Sequence, residues 1–216
     1  MKLYGYWRSS AAYRVRIALN LKQLNVEHIS VHLVNNGGEQ HSEAFHALNP
    51  QDLVPTLVDS NEQGEFSLSQ SLAIIEYLEE KYSQHKILPV SIADRAIVRS
   101  MSQAIACEIH PLDNLRVLQY LVNDMGVTEE NKMRWYHHWI HLGFTALELQ
   151  IARYSGRFSF GNSPTLIDIC LVPQVYNAKR FNLELTEYPN IVRVYNECEQ
   201  LAAFAHAAPE QQHDAT

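Results

Sequence analysis

Two adjacent hydroxyls, Ser9 and Ser10, stand between an apolar start (Leu3-Tyr4-Gly5-Tyr6) and a helical pattern. A helix N-terminus carries free N–H groups and a partial positive charge, so it favours an anion. A serine hydroxyl placed there can donate a hydrogen bond as well. Together they would hold a thiolate and lower a thiol's pKa from its free value of about 8.5. No residue from 7 to 13 is a cysteine, so such a sulfur cannot belong to the loop. The simpler role for either serine is an N-cap. Val54-Pro55 is a second candidate. Proline excludes the preceding residue from the helical region. A cis bond would turn the Val54 N–H and C=O toward an open edge, where an extended peptide could pair as an added strand. A trans proline that starts a strand is the ordinary alternative. Gln70-Ser71 is a third candidate, because helix N–H groups and a serine hydroxyl hold a carboxylate well. Capping is again the simpler role.

Periodicity supplies the elements that must position these residues. Residues 2–6 and 28–33 read as strands, the second with Ile29, Val31 and Leu33 on one face. Residues 11–23 read as a helix with Val15, Ala18 and Leu19 on one side. Strand, helix and strand make a βαβ unit with a parallel pair. Gly37-Gly38 marks a loop, and 40–47 a short helical patch. Residues 54–58 and 65–68 read as strands about the turn Asn61-Glu62-Gln63-Gly64. A helix then opens at Ser69-Gln70-Ser71, with Leu72, Ile75 and Leu78 at helical spacing. The order βαβ-ββα over residues 1–82 is thioredoxin-like, although the first loop lacks the redox Cys-x-x-Cys of that arrangement. Residues 83–91, containing Pro89, read as a linker. Helical patterns then cover roughly 92–122, 128–154, 165–180 and 188–206. The expected fold class is α+β with two domains, residues 92–216 being all-α and 207–216 a frayed tail.

Composition narrows the partners. The 216 residues are 46% hydrophobic and 19% charged, enough for a core without disulfides. Cys107, Cys170 and Cys198 are odd in number and widely spaced, which suggests neither a disulfide framework nor a zinc site and fits a reducing cytoplasm. No signal-peptide pattern or membrane span is evident. A net charge of −7 argues against nucleic acid as a partner. Binding of anionic small molecules would need local cations, and Arg8, Arg14 and Arg16 form one cluster, Lys179-Arg180 another. His137 and His141 have metal-ligand spacing, but no third ligand is evident and no metal is expected. Cys107 and Cys170 read as core residues. Thr165 and Asp168 read as a capping box.

The run Ser9-Ser10-Ala11-Ala12-Tyr13-Arg14-Val15-Arg16-Ile17-Ala18-Leu19 resembles the signature of zeta-class glutathione transferases. That signature is Ser-Ser-Cys, a variable position, an aromatic residue or His, then Arg-Val-Arg-Ile-Ala-Leu. Further matches are Ala47-Leu48-Asn49-Pro50, Val54-Pro55-Thr56-Leu57 and the run from Gln70-Ser71 to Glu80. In the helical half the runs from Asp168 to Val175 and from Asn177 to Phe181 match as well. The resemblance covers nearly the whole chain. It implies glutathione as cofactor, with Ser9 and Ser10 facing the sulfur, Gln40 at the glycyl end, Val54 on the cysteinyl backbone, and Gln70 and Ser71 on the γ-glutamyl group. It also implies contacts from His110, Asn114, Leu115 and Arg116, and a homodimer. The family cysteine is Ala11 here, so glutathione must supply the sulfur.

The reaction implied by the resemblance is cis–trans isomerisation of maleylacetoacetate to fumarylacetoacetate, a step of tyrosine and phenylalanine catabolism. Reversible thiolate addition turns the rigid C=C into a rotatable single bond. A small dicarboxylate substrate also demands cationic partners and oxyanion stabilisation. Arg8 and Arg180 are the expected ones, with Arg116 behind them. Conjugation of α-halo acids and isomerisation of maleylpyruvate need the same thiolate and remain alternatives.

Overall fold

The computed structural model describes residues 1–216, the side chain of Asn36 excepted. It divides into two compact units, one of residues 1–87 with 199–216, the other of residues 88–198. In the first unit β1 (Lys2–Gly5) pairs in parallel with β2 (Glu27–Ser30) and antiparallel with β3 (Thr56–Asn61). β3 pairs antiparallel with β4 (Gly64–Ser69), giving the order β2-β1-β3-β4. α1 (Ser10–Leu21) crosses between β1 and β2, α2 (Glu43–Leu48) follows two short 3-10 turns, and α3 (Ser71–Lys81) leaves β4. This is the βαβ-ββα order read from the sequence. β2 stops at Ser30, short of the predicted residue 33, and only the Val31 N–H, 2.7 Å from the Gly5 carbonyl, carries the pairing further. β3 begins after Pro55, which has no N–H to give a ladder.

The second unit is helical. α4 (Ile92–Gln103) runs into a π-helical segment, Ala104–Ile109, followed by α5 (Leu115–Asn123), α6 (Glu129–Tyr154), α7 (Leu166–Arg180) and α8 (Pro189–Glu199). No β-strand follows Ser69 among the described residues. The pattern read as continuous over 92–122 breaks at Pro111, which cannot donate to the turn before it. The wider π turn keeps Ile105 and Ile109 inside and turns Cys107 to the surface, so the expectation of a core Cys107 is corrected. Gly143 on α6 permits this packing, because a Cβ there would land on the Ile109 side chain. Asp168 at the start of α7 accepts from the Thr165 N–H at 2.7 Å, the Thr165 hydroxyl at 3.1 Å and the Ser159 N–H at 2.9 Å. The capping box read from the sequence is therefore formed.

The expected domain division, 1–82 and 92–216 about a linker at 83–91, is replaced by one in which 199–216 joins the first unit. The physical reason lies in α1, whose residues from Ala12 to Leu19 are all buried and not one side alone. β1 lies close enough that a Cβ on Gly5 would sit 3.3 Å from the Ala12 Cβ. α9 (Ala202–Ala205) packs on α1, where Asn20 Nδ2 donates to the Ala203 carbonyl at 2.9 Å. The tail expected to fray is anchored as well, since Asp214 accepts hydrogen bonds from Trp7 and Ser30.

A buried ion pair closes the other end of α1. Lys22 Nζ lies 2.6 Å from Glu79 Oε2 on α3 and donates to the Tyr82 carbonyl at 2.9 Å, while the Ile87 N–H donates to Glu79 at 3.3 Å. Glu79→Gln would leave a buried ammonium without its counter-charge. Urea denaturation should show a loss of about 3–5 kcal/mol, and a loss below about 1 kcal/mol, as for a surface pair, would refute this account.

Candidate active site

The sheet register brings the loop residues of the first unit to one edge. Tyr4 at the end of β1 is opposite Thr56 at the start of β3, which is opposite Ser69 at the end of β4. The chain leaves β1 toward Ser9, enters β3 from Val54 and leaves β4 into Gln70. β2 is parallel to β1, so the turn carrying Gln40 also leaves at this end.

Ser9 is the N-cap of α1, and its Oγ accepts the Ala12 N–H at 3.2 Å. The accepting oxygen keeps its own proton to donate. Ser10, the first helical residue, is buried. The first turns of α1 and α3 hold no acidic side chain, as in α5, α8 and α9 and unlike α2, α4, α6 and α7. The positive ends of α1 and α3 are thus not compensated from within. Val54-Pro55 is cis, and neither the N–H nor the C=O of Val54 has a hydrogen-bond partner among the described residues. Gln70 holds φ 70° and ψ 114°, a costly backbone for a residue with a Cβ and one that concentrates at functional sites. Its Nε2 donates to Gln51 Oε1 at 2.9 Å. Buried Ser71 accepts from Arg14 Nη1 at 3.4 Å, which links the starts of the two helices. Gln40 Oε1 is buried without a partner among the described residues.

Some supports were not legible beforehand. Buried Asn49 donates to the Leu53 carbonyl at 2.8 Å and to Thr56 Oγ1 at 3.2 Å, which sets the approach to Val54. Gln51 orients Gln70, and no spacing in the sequence marks it. The predicted cluster of Arg8, Arg14 and Arg16 is corrected. Arg14 and Arg16 are buried in the fold, and only Arg8 is exposed, its guanidinium 4.2 Å above the Trp7 ring.

In the second unit, Asn114 caps α5 by accepting the Arg116 N–H at 3.2 Å and lies 3.4 Å from His110 Nε2. Leu115 and Arg116 are exposed. Arg180 is exposed at the end of α7, 4.6 Å above the Phe181 ring, which in turn lies 4.4 Å from the Tyr136 ring. Burial pushes the Tyr136 hydroxyl up, as does the nearby Asp113 charge, while Arg180 opposes both. The segment around Asn114 and the end of α7 therefore meet near Tyr136. His137 and His141 face different partners, the Phe181 carbonyl at 3.0 Å and the Tyr188 hydroxyl at 2.6 Å. Among the described residues no three His, Cys, Asp or Glu side chains are grouped to hold a metal. No helix is long and apolar enough to cross a membrane.

Residues 3–86 match the family of glutathione S-transferase N-terminal domains. A probable maleylacetoacetate isomerase of Vibrio cholerae is 53% identical over 99% of this chain and 97% of its own length. The chain belongs to the zeta-class glutathione transferase family. A bacterial zeta-class maleylpyruvate isomerase, solved in its holo form, superposes with TM-score 0.94 and 45% identity over all of both chains. A maleylacetoacetate isomerase from Methylobacterium extorquens AM1, solved with malonate and glutathione bound, superposes with TM-score 0.94 and 37% identity over all of both chains.

Asp113 adds a pH dependence to the stability of this zeta-class chain. Both carboxylate oxygens of Asp113 are buried without hydrogen-bond partners among the described residues. Burial pushes its carboxyl up to about 8. A folded-state pKa above the unfolded value near 3.8 means that the fold favours the neutral acid. That stability is complete below the unfolded value and is lost as pH rises through 8. Asp113→Asn mimics the neutral acid, so its melting temperature should fall less than that of the wild type between pH 5 and 9. Parallel melting curves across that range would contradict the assignment.

Proposed function

We propose that this zeta-class transferase isomerises maleylacetoacetate to fumarylacetoacetate with glutathione as cofactor. The observation that carries the reading is the shared sheet edge, with two uncompensated helix N-termini flanking the unpaired backbone of Val54. That arrangement fits an extended tripeptide with a sulfur and a charged end. The α3 terminus with Gln70 and Ser71 suits the γ-glutamyl carboxylate. Val54 suits the cysteinyl backbone, and Gln40, with its unsatisfied oxygen, suits the glycyl end. Ser9, Ser10 and the α1 terminus suit the sulfur. Glutathione, when bound, supplies a thiolate that adds reversibly to the conjugated double bond.

The chain's own residues then hold charge. The α1 terminus and the Ser9 hydroxyl stabilise a sulfur anion, and Arg8 binds a substrate carboxylate. On the family resemblance we assign Arg180 to the second carboxylate, and His110, Asn114, Leu115 and Arg116 to cofactor contacts. The relative solved with malonate and glutathione bound supports a dicarboxylate as substrate. Action in the cytoplasm within tyrosine and phenylalanine catabolism, as a homodimer, completes the proposal. The likeness to a maleylpyruvate isomerase favours maleylpyruvate as the second reading.

The test is turnover of maleylacetoacetate, maleylpyruvate and an α-halo acid, each with and without glutathione. Conjugation of the halo acid with neither cis-enedioate turned over would sink the isomerase reading. Ser9→Ala should cut kcat/KM by about 10- to 100-fold, the worth of a hydrogen bond to a charge, and should raise the pKa of bound glutathione. Unchanged turnover would remove Ser9 from the chemistry. Arg180→Ala should raise KM for dicarboxylates by roughly 10-fold or more and leave conjugation of a neutral electrophile unchanged. Equal losses for both substrates would show structural damage instead.

A further inference from the structure

The residue that leads into Arg8 and Ser9 is gripped at both of its backbone polar groups. The Trp7 N–H donates to Asp214 Oδ2 at 3.2 Å. The same oxygen accepts the Ser30 hydroxyl at 2.9 Å, so the carboxylate also ties the segment to the end of β2. The Trp7 carbonyl accepts from Arg16 Nη2 at 3.0 Å, and Arg16 Nε donates to the Ala207 carbonyl at 3.0 Å. Gln212 Nε2 donates to the Ala208 and His206 carbonyls at 2.9 and 3.1 Å, which folds the segment back on itself just before Asp214. Residues 206–214 thus form a built strap across the chain that leads into the loop.

What the strap holds matters for the chemistry. Trp7 carries the Arg8 guanidinium on its ring at 4.2 Å. The turn that follows is closed by the Ser9 N–H, which donates to the Tyr6 carbonyl at 3.0 Å. A hydrogen bond to a carboxylate is about twice as strong as one between neutral groups. Here that bond acts on the N–H of Trp7, the residue next to Arg8. We propose that Asp214 is a positioning residue of the active site: by holding Trp7 it fixes the Ser9 hydroxyl and the Arg8 cation together. The inference rests on the glutathione reading, since it needs Ser9 and Arg8 to act on sulfur and substrate. Asp214 touches neither and acts through the backbone of Trp7.

The experiment uses the full chain with Asp214→Ala, Asp214→Asn and Ser30→Ala. The thiolate absorbance of bound glutathione is titrated against pH, kcat and the KM for glutathione are measured with maleylacetoacetate as the other substrate, and thermal melting is recorded for each variant. Asp214→Ala should raise the pKa of the bound thiol and raise KM for glutathione by roughly 3- to 10-fold, as expected for a small misplacement of the loop. Asp214→Asn should recover part of the loss, because its amide oxygen still accepts from Trp7. Ser30→Ala should shift both quantities slightly in the same direction. If Asp214→Ala melts lower yet keeps the wild-type thiol pKa and KM, the residue is structural only and the proposal is overturned. Should Asp214→Ala fail to fold, wild-type values in both milder variants overturn it equally. A wild type that gives no thiolate signal with glutathione removes the functional reading, and this inference with it, whereas a normal wild type beside unmoved variants removes the inference alone.

Discussion

A buried guanidinium is costly unless its N–H donors find acceptors, because an unpaired buried charge is among the most costly groups a fold can hold. Arg16 is 5% exposed and meets this demand with the carbonyls of Ala207, Trp7 and Tyr6. The chain before Ser9 and the segment after α8 must therefore lie where those carbonyls reach one side chain. Arg14 stands two residues earlier, about 200° around the helix at 3.6 residues per turn. It faces the other way and reaches Ser71 at the start of α3. Two arginines on α1 thereby fix what lies on either side of it, and the loop ahead of α1 inherits its position from both.

That fixed frame lets the helix ends stay electrostatically open. An acidic residue in the first turn stabilises a helix by about 0.3–1 kcal/mol. α2, α4, α6 and α7 use it. α1 and α3, like α5, α8 and α9, have none, and α1 is held by burial and by the contacts of Arg14, Arg16 and Lys22. Gln70 shows the same priority in its backbone, which takes a positive φ and is steadied by Gln51. The positive φ of Gln70 and the open N-terminus of α3 fall at the same sheet edge, where an anion would be held.

Much of this was legible in the sequence, because period two and period 3.6 survive in one dimension. Strand and helix order in residues 1–82, the capping box of Thr165 and Asp168, and the three loop motifs all carry local signals. The role of Arg14 and Arg16 was not legible, because charge suggests exposure and burial depends on carbonyls as far away as Ala207. The π turn at 104–109 hid for a related reason. Its extra residue per turn shifts the facing pattern, so Cys107 in an apolar run reads as core and lies outside. The segment 199–216 read as a helical patch with a polar end. Its place in the first unit is decided by Asn20, Arg16 and Trp7, none of which is near it in sequence.

The absence of a thiol at Ala11 bears on which reaction suits the site. Stabilising a sulfur anion at the α1 terminus raises the thiolate fraction near neutral pH but lowers the nucleophilicity of each anion, with a Brønsted slope of about 0.4–0.5 in thiol exchange. The same stabilisation makes the sulfur a better leaving group. In conjugation the sulfur stays in the product, so only the first two effects count and they partly cancel. In isomerisation the sulfur must leave again after the bond has rotated, and the third effect is added to the forward rate. A hydroxyl donor at an uncompensated helix end, with no competing thiol between residues 7 and 13, is better matched to a nucleophile that returns than to one that is consumed.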